Sequence, residues 1–133
     1  MESSALVAAL LEHDITAMEP LPAGTRLVTS ALTLAETARA IIRARVSERL
    51  TAEQERAAVK ALRTFARRCF VLDVDRNVLN RVGRRFPVEP IHTLDAVHLA
   101  TAEALDESPQ LVTIVTRDAR VRDNALALGF AIA

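Results

Sequence analysis

Four short β-prone runs, each separated from the next by helical stretches of crossover length, constrain this chain more than any other feature. The runs are Arg26–Ser30 (RLVTS), Cys69–Val74 (CFVLDV), Leu111–Val115 (LVTIV) and Phe130–Ala133. A helix is expected before the first run, over residues 3–12, where Leu6, Val7, Leu10 and Leu11 form an apolar stripe. A loop with Pro20, Pro22 and Gly24 follows it. Helices are expected over Thr33–Val46, from an N-cap at Thr51 to about Arg67, over Asn77–Arg84 up to Phe86-Pro87, over Thr93–Leu105, and over Arg117–Leu128 with Gly129 as its stop. Strands that alternate with crossover helices pair in parallel and bury both faces, so the expected architecture is an α/β sheet covered by helices on each side. Ligands of such sheets lie beyond the carboxyl ends of the strands, where helices begin.

The 133 residues suit one domain, spanning 1–133, and a half-apolar composition argues against disorder. No stretch approaches the roughly 20 apolar residues a membrane span needs. The opening MESSALVAALLEHD has no basic start and no cleavage site, so the expectation is a cytoplasmic protein without a membrane partner. Cys69 is the sole cysteine and excludes an internal disulfide. His13, His92 and His98 fit no zinc spacing, and Gly24, Gly83 and Gly129 build no phosphate-cradling loop. With no Trp or Tyr and four Phe, a base-stacking platform is disfavoured. The formal net charge is zero, yet between Arg39 and Arg85 thirteen bases stand against five acids. Solvated helix faces are the ordinary reading of that surplus; attraction for a phosphate backbone is the functional one.

Acids recur at the starts of the expected helices: Glu2 before SSALVAAL, Glu36 in TLAETARA, Asp95 in TLDAVHLA and Asp118 in TRDARVRD. Thr33, Thr93 and Thr116 precede the last three as expected N-caps, and Thr33 with Glu36 reads as a capping box. Each acid alone is explained by the helix dipole. Together they are not, because helices starting at one edge of a parallel sheet would bring several carboxylates into mutual repulsion. A hard divalent cation with oxygen ligands relieves it.

Four segments carry a family resemblance in order across nearly the whole chain. ESSALVAALLE, SALTLAETARAIIR, FPVEPIHTLDAVHLATAEAL and VTRDARVRDNALALGF resemble the four motifs of PIN domains. The resemblance implies a three-layer α/β/α fold with a central parallel sheet. Met1 alone stands before Glu2, where the family has several residues of a first central strand, so the expectation is either a truncated first strand or a true start further upstream. It further implies metal-dependent hydrolysis of RNA phosphodiesters by the carboxylates Glu2, Glu36, Asp95 and Asp118 holding Mg²⁺ or Mn²⁺, with the hydroxyls of Ser4 and Thr116 in support. The short length fits the VapC-type toxin subgroup, which implies a homodimer and a VapB-like antitoxin partner. Glu2 stands where the family usually has Asp, so the alternative is a catalytically weakened PIN-like module that acts by binding protein or RNA.

His98 falls three residues after Asp95 on the same helix face. A packed histidine is its ordinary reading and a proton relay its functional one. Asp123 and Asn124 near the last motif read as solvent-exposed by default. The stripes Ala38, Ile41, Ile42 and Val59, Leu62, Phe65 are expected to pack two helices into a hairpin. A signalling receiver, another small parallel α/β protein with an acid cluster, needs a lysine after its last-but-one strand. The sole lysine, Lys60, lies in an expected helix.

Overall fold

The computed structural model describes residues 1–12, 14 and 24–133. His13 and the loop expected at Pro20 and Pro22 lie outside them. Helix α1 (Ser3–Leu11) is followed by strand β1 (Val28–Ser30), helices α2 (Ala31–Val46) and α3 (Ala52–Arg68), strand β2 (Phe70–Leu72), and helices α4 (Arg76–Val82) and α5 (Thr93–Glu103). Strand β3 (Thr113–Ile114), helix α6 (Ala119–Ala127) and strand β4 (Ala131–Ile132) complete the order. Every element expected from the sequence is present, and the strands are shorter than expected. At β3 the reason is local: Pro109–Leu111 winds into a 3-10 turn and removes Leu111 from the strand.

The helix caps follow side-chain chemistry, though not always at the expected residue. Thr51 accepts from the Gln54 amide while the Gln54 side chain accepts from the Thr51 amide, a reciprocal capping box. Thr33 does not cap α2. Ser30 does, accepting from the Thr33 amide at 3.1 Å, which starts the helix three residues earlier and puts Glu36 in its second turn. His92, not Thr93, stands at the N-cap of α5, with no side-chain bond. Asp118, not Thr116, caps α6. Gly129 takes φ +90 after α6, a conformation open to glycine at little cost.

All strand pairing is parallel, in two separate pairs: β1 with β2 (Val28 opposite Phe70) and β3 with β4 (Thr113 opposite Ala131). Two residues lace the pairs together. The Met1 ammonium donates to the Val28 carbonyl at 2.8 Å, and the Thr29 hydroxyl donates to the Met1 carbonyl at 2.9 Å. On the other side the Glu2 amide donates to the Val115 carbonyl at 3.0 Å. The expected central sheet is thus two parallel pairs joined through Met1–Glu2, and this lacing carries the Glu2 side chain to the carboxyl ends of β1 and β3. A cavity lined by Val28, Leu72, Leu99, Val112 and Ile114, among others, lies between the pairs.

Helices sort into two groups with separate apolar cores. Leu6, Ile41, Ala58, Leu62 and Phe65 tie α1, α2 and α3, and the expected α2–α3 hairpin forms. Ile42, expected in that contact, is instead exposed. Val78, Phe86, Val97, Leu99, Val121 and Phe130 tie α4, α5 and α6. Asn124 departs from its default reading, being 1% exposed. Its Oδ1 accepts from the Val88 amide at 2.9 Å and its Nδ2 donates to the Val88 and Arg120 carbonyls, which ties the Phe86–Ile91 loop to α6. Asp123 is exposed as expected. No helix among the described residues is long and apolar enough to cross a membrane.

Candidate functional site

The carboxyl end of the lacing residue Glu2 meets helix starts from three directions. Glu2 is the N-cap of α1 and is 7% exposed. Its Oε1 accepts from the Ser3 hydroxyl at 2.6 Å and the Ser4 amide at 3.0 Å. Its Oε2 accepts from the Ser4 hydroxyl and from the Thr116 hydroxyl, the latter at 2.7 Å. Burial is the largest single influence on this carboxyl and would raise its pKa. The hydrogen bonds from Ser3, Ser4 and Thr116 together outweigh it and hold the pKa below the usual glutamate range. Both supporting hydroxyls are themselves fixed: Ser4 Oγ accepts from the Arg117 amide at 2.7 Å, and Thr116 Oγ1 accepts from the Asp118 amide at 3.0 Å. Thr116 thus links the Glu2 carboxylate to the backbone amide of Asp118, the residue that caps α6.

Glu36 reaches the same place from α2. Its Oε2 accepts from His98 Nε2 at 2.7 Å. Burial raises its pKa, and hydrogen bonds with His98 and Ser3 reverse the shift, leaving it below the ordinary value. His98 Nε2 also stands 3.5 Å from Glu2 Oε1 and 3.4 Å from Ser3 Oγ. One donor atom from each of Glu2, Glu36 and His98 lies within 4.8 Å of the others, the only such set of three or more metal-ligand types among the described residues. His98 belongs to this site, which its ordinary reading as a packed histidine missed. The i, i+3 spacing from Asp95 sets both on one face of α5, but the contacts that bring His98 here, to Glu36 and Ser3, are distant in sequence and left no local signal.

Asp95 and Asp118 stand outside that set of three and form a neighbouring couple. Asp118 is held by its capping role, its Oδ1 accepting from the Arg120 amide at 2.7 Å and the Val121 amide at 3.2 Å. Asp95, in the first turn of α5, has a buried Oδ2 with no hydrogen-bond partner. The nearest basic groups, Arg120 Nε at 3.7 Å and His92 Nδ1 at 3.9 Å, lie beyond hydrogen-bond length. Burial raises the Asp95 pKa, and the charges of Asp118 and Glu2 raise it further against the opposing pull of Arg120 and His92. The four acids expected together thus form two coupled pairs at one rim, with Asp95 feeling the charge of Glu2.

This donor set fits a hard divalent cation. Two buried or half-buried glutamates are kept ionised, a third carboxylate has an orphaned buried oxygen, and the like charges repel without a full internal counter-ion.

Comparison with known proteins identifies the family. The model of the PIN domain family matches residues 1–126. Ribonuclease VapC46 of Mycobacterium tuberculosis is 38% identical over 105 residues, covering 79% of this chain and 71% of that protein. Ribonuclease VapC35 of the same organism is 34% identical over 107 residues, covering 80% and 71%. A solved structure of VapBC-1 from nontypeable Haemophilus influenzae superposes with a TM-score of 0.53 over 94% of this chain and 84% of that one, at 17% identity, a likeness of fold. A family model spanning nearly the whole chain, together with relatives above 30% identity over most of their length, establishes that the chain belongs to the PIN-domain family, in its VapC-type branch.

Proposed function

We propose that the protein is a metal-dependent endoribonuclease, the toxin of a VapBC-type toxin–antitoxin pair. It hydrolyses RNA phosphodiesters in the cytoplasm. The relatives named as VapC ribonucleases support the activity, and the VapBC-1 structure supports an antitoxin of VapB type as partner. A second copy of the chain is the expected oligomeric partner. The single observation that carries the metal requirement is the buried, unpartnered Oδ2 of Asp95, on which the charges of Asp118 and Glu2 act.

In this reading Glu2, Glu36, Asp95 and Asp118 hold Mg²⁺ or Mn²⁺. A divalent cation, when bound, polarises the scissile phosphate and lowers the pKa of an attacking water. The chain's own residues prepare the place. Ser3, Ser4 and Thr116 keep the Glu2 carboxylate ionised and fixed in orientation. Glu2, one methylene longer than the family's usual Asp, is held by these bonds at the N-cap of α1. The Asp118 carboxylate is aimed by two amides of α6. Arg120, half exposed beside Asp95 and Asp118, offers a guanidinium at the rim to a phosphate oxygen.

The test is cleavage of end-labelled RNA by purified protein in Mg²⁺, Mn²⁺ or chelator, with Asp95→Asn alongside. Cutting that needs the metal and disappears in the variant is the expected result. Wild-type protein that leaves RNA intact at every metal concentration would favour the weakened module that only binds.

A further inference from the structure

We propose that His98 is a nitrogen ligand of the metal, completing a Glu2–Glu36–His98 set that favours Mn²⁺ over Mg²⁺. This rests on the metal-dependent reading above and adds a ligand and a metal preference to it.

The geometry comes first. His98 is buried, with 6% of its side chain exposed, yet its Nε2 faces two carboxylates and the Ser3 hydroxyl rather than apolar side chains. The Nε2 atom lies 2.7 Å from a Glu36 oxygen and 3.5 Å from a Glu2 oxygen, and the three donors lie within 4.8 Å of one another; ligand bonds of about 2.1 Å to a common centre allow donors up to about 4.2 Å apart, so the set needs a small contraction to share one ion. The three donors come from three different segments, Glu2 from the lacing residues, Glu36 from α2 and His98 from α5, so packing of two helices and the strand edge holds them. Asp95 lies one turn before His98, so α5 presents an oxygen and a nitrogen on one face toward the same rim.

The chemistry of the donor sets the preference. Mg²⁺ prefers all-oxygen octahedral surroundings and gives up water reluctantly. Mn²⁺ also takes oxygen donors and is the weakest of the first-row series for nitrogen, but it accepts an imidazole in place of water more readily than Mg²⁺, which holds its waters. Ligation uses the Nε2 lone pair, so the hydrogen that Nε2 shares with Glu36 is displaced and the neutral ring carries its proton on Nδ1. A histidine serving only as an internal counter-ion would keep that hydrogen and leave the metal with oxygen donors alone. The two roles therefore differ in an observable that does not depend on catalysis.

The experiment is pulsed electron paramagnetic resonance of Mn²⁺ bound to the wild-type protein, with Mn²⁺ and Mg²⁺ affinities measured for wild type and His98→Gln. Expected are ¹⁴N modulation of the bound Mn²⁺ that changes on ¹⁵N-histidine labelling, and a His98→Gln variant that loses it. Mn²⁺ affinity should fall roughly 10-fold or more in the variant while Mg²⁺ affinity changes by less than about 3-fold, as removal of a nitrogen donor predicts. Mn²⁺ bound to wild type without nitrogen coupling would overturn the proposal, and the spectrum needs no variant to be read. Equal losses for both metals would overturn the preference. All-oxygen Mn²⁺ with RNA cleavage intact would remove His98 and keep the nuclease; no Mn²⁺ binding and no cleavage would remove both.

Discussion

Asp95→Asn is expected to stabilise the metal-free protein while destroying its activity. The Asp95 Oδ2 is buried and unpartnered, with 18% of the side chain exposed, and its pKa is raised by burial and by Asp118. A raised carboxyl pKa means that the ionised form is penalised in the fold. The penalty is complete above the folded pKa and vanishes below the ordinary aspartate value of 3.8. A buried acceptor without a partner costs more when it is charged than when it is neutral, and the partial exposure together with the distant pull of Arg120 places the relief that the amide brings at about 1 kcal/mol. Unfolding entropy for a domain this size is about 0.28 kcal/mol/K, so the variant should melt about 4 °C higher at pH 7 in chelator. Calorimetry across pH reads the effect: the gain should shrink as the pH falls toward 4. Saturating Mn²⁺ should reverse the order, since a ligand at 100 times its Kd adds about 2.7 kcal/mol to the wild type and less to the variant. A variant that melts lower without metal, or a gain that persists unchanged in acid, would refute this reasoning.

Glu2 and Glu36 behave in the opposite sense. Their lowered pKa values contribute stability above the ordinary glutamate value of 4.5 that is lost as the pH falls through their folded values, so urea midpoints should drop in acid and Glu2→Gln should flatten that drop. Thr116→Val removes a donor to Glu2 and an acceptor for the Asp118 amide, and should cost about 1–3 kcal/mol in chemical denaturation while weakening metal binding measured by titration calorimetry. Asn124→Ala strips the two hydrogen bonds that tie α6 to Val88 of the Phe86–Ile91 loop and a third to the Arg120 carbonyl within α6; about 2–3 kcal/mol of stability should go, with faster amide exchange at Val88. Ile41→Ala, at a fully buried position of the α1–α3 core, should cost about 2–5 kcal/mol and leave the metal affinity of the folded fraction intact.

The element order was legible because each helix and β-run carries its own period, and Thr51 with Gln54 announced its cap in four residues. Caps at Thr33, Thr93 and Thr116 misled because an N-cap depends on where the backbone leaves the extended region, which it does at Ser30, His92 and Asp118, three, one and two residues away. Of the site, the four acids were readable from their recurrence at helix starts, and their shared rim follows from parallel pairing. The split into Glu2 with Glu36 and Asp95 with Asp118 was not readable, since it depends on the second-turn position of Glu36. His98 entered the site through contacts 95 and 62 residues away in sequence, a range over which periodicity carries no information. The lacing of two strand pairs through the Met1–Glu2 backbone was likewise invisible, because it uses carbonyls of Val28 and Val115 rather than any side-chain pattern.

Crystals soaked in Mn²⁺ and measured for anomalous scattering at the manganese edge bear most directly on a shared cation. A peak within bonding distance of the Glu2 and Glu36 carboxylates, with Asp95 drawn toward the same ion or its waters, is the expected result. Manganese bound only elsewhere on the surface, with these carboxylates unshifted and Asp95 still unpartnered, would contradict the account.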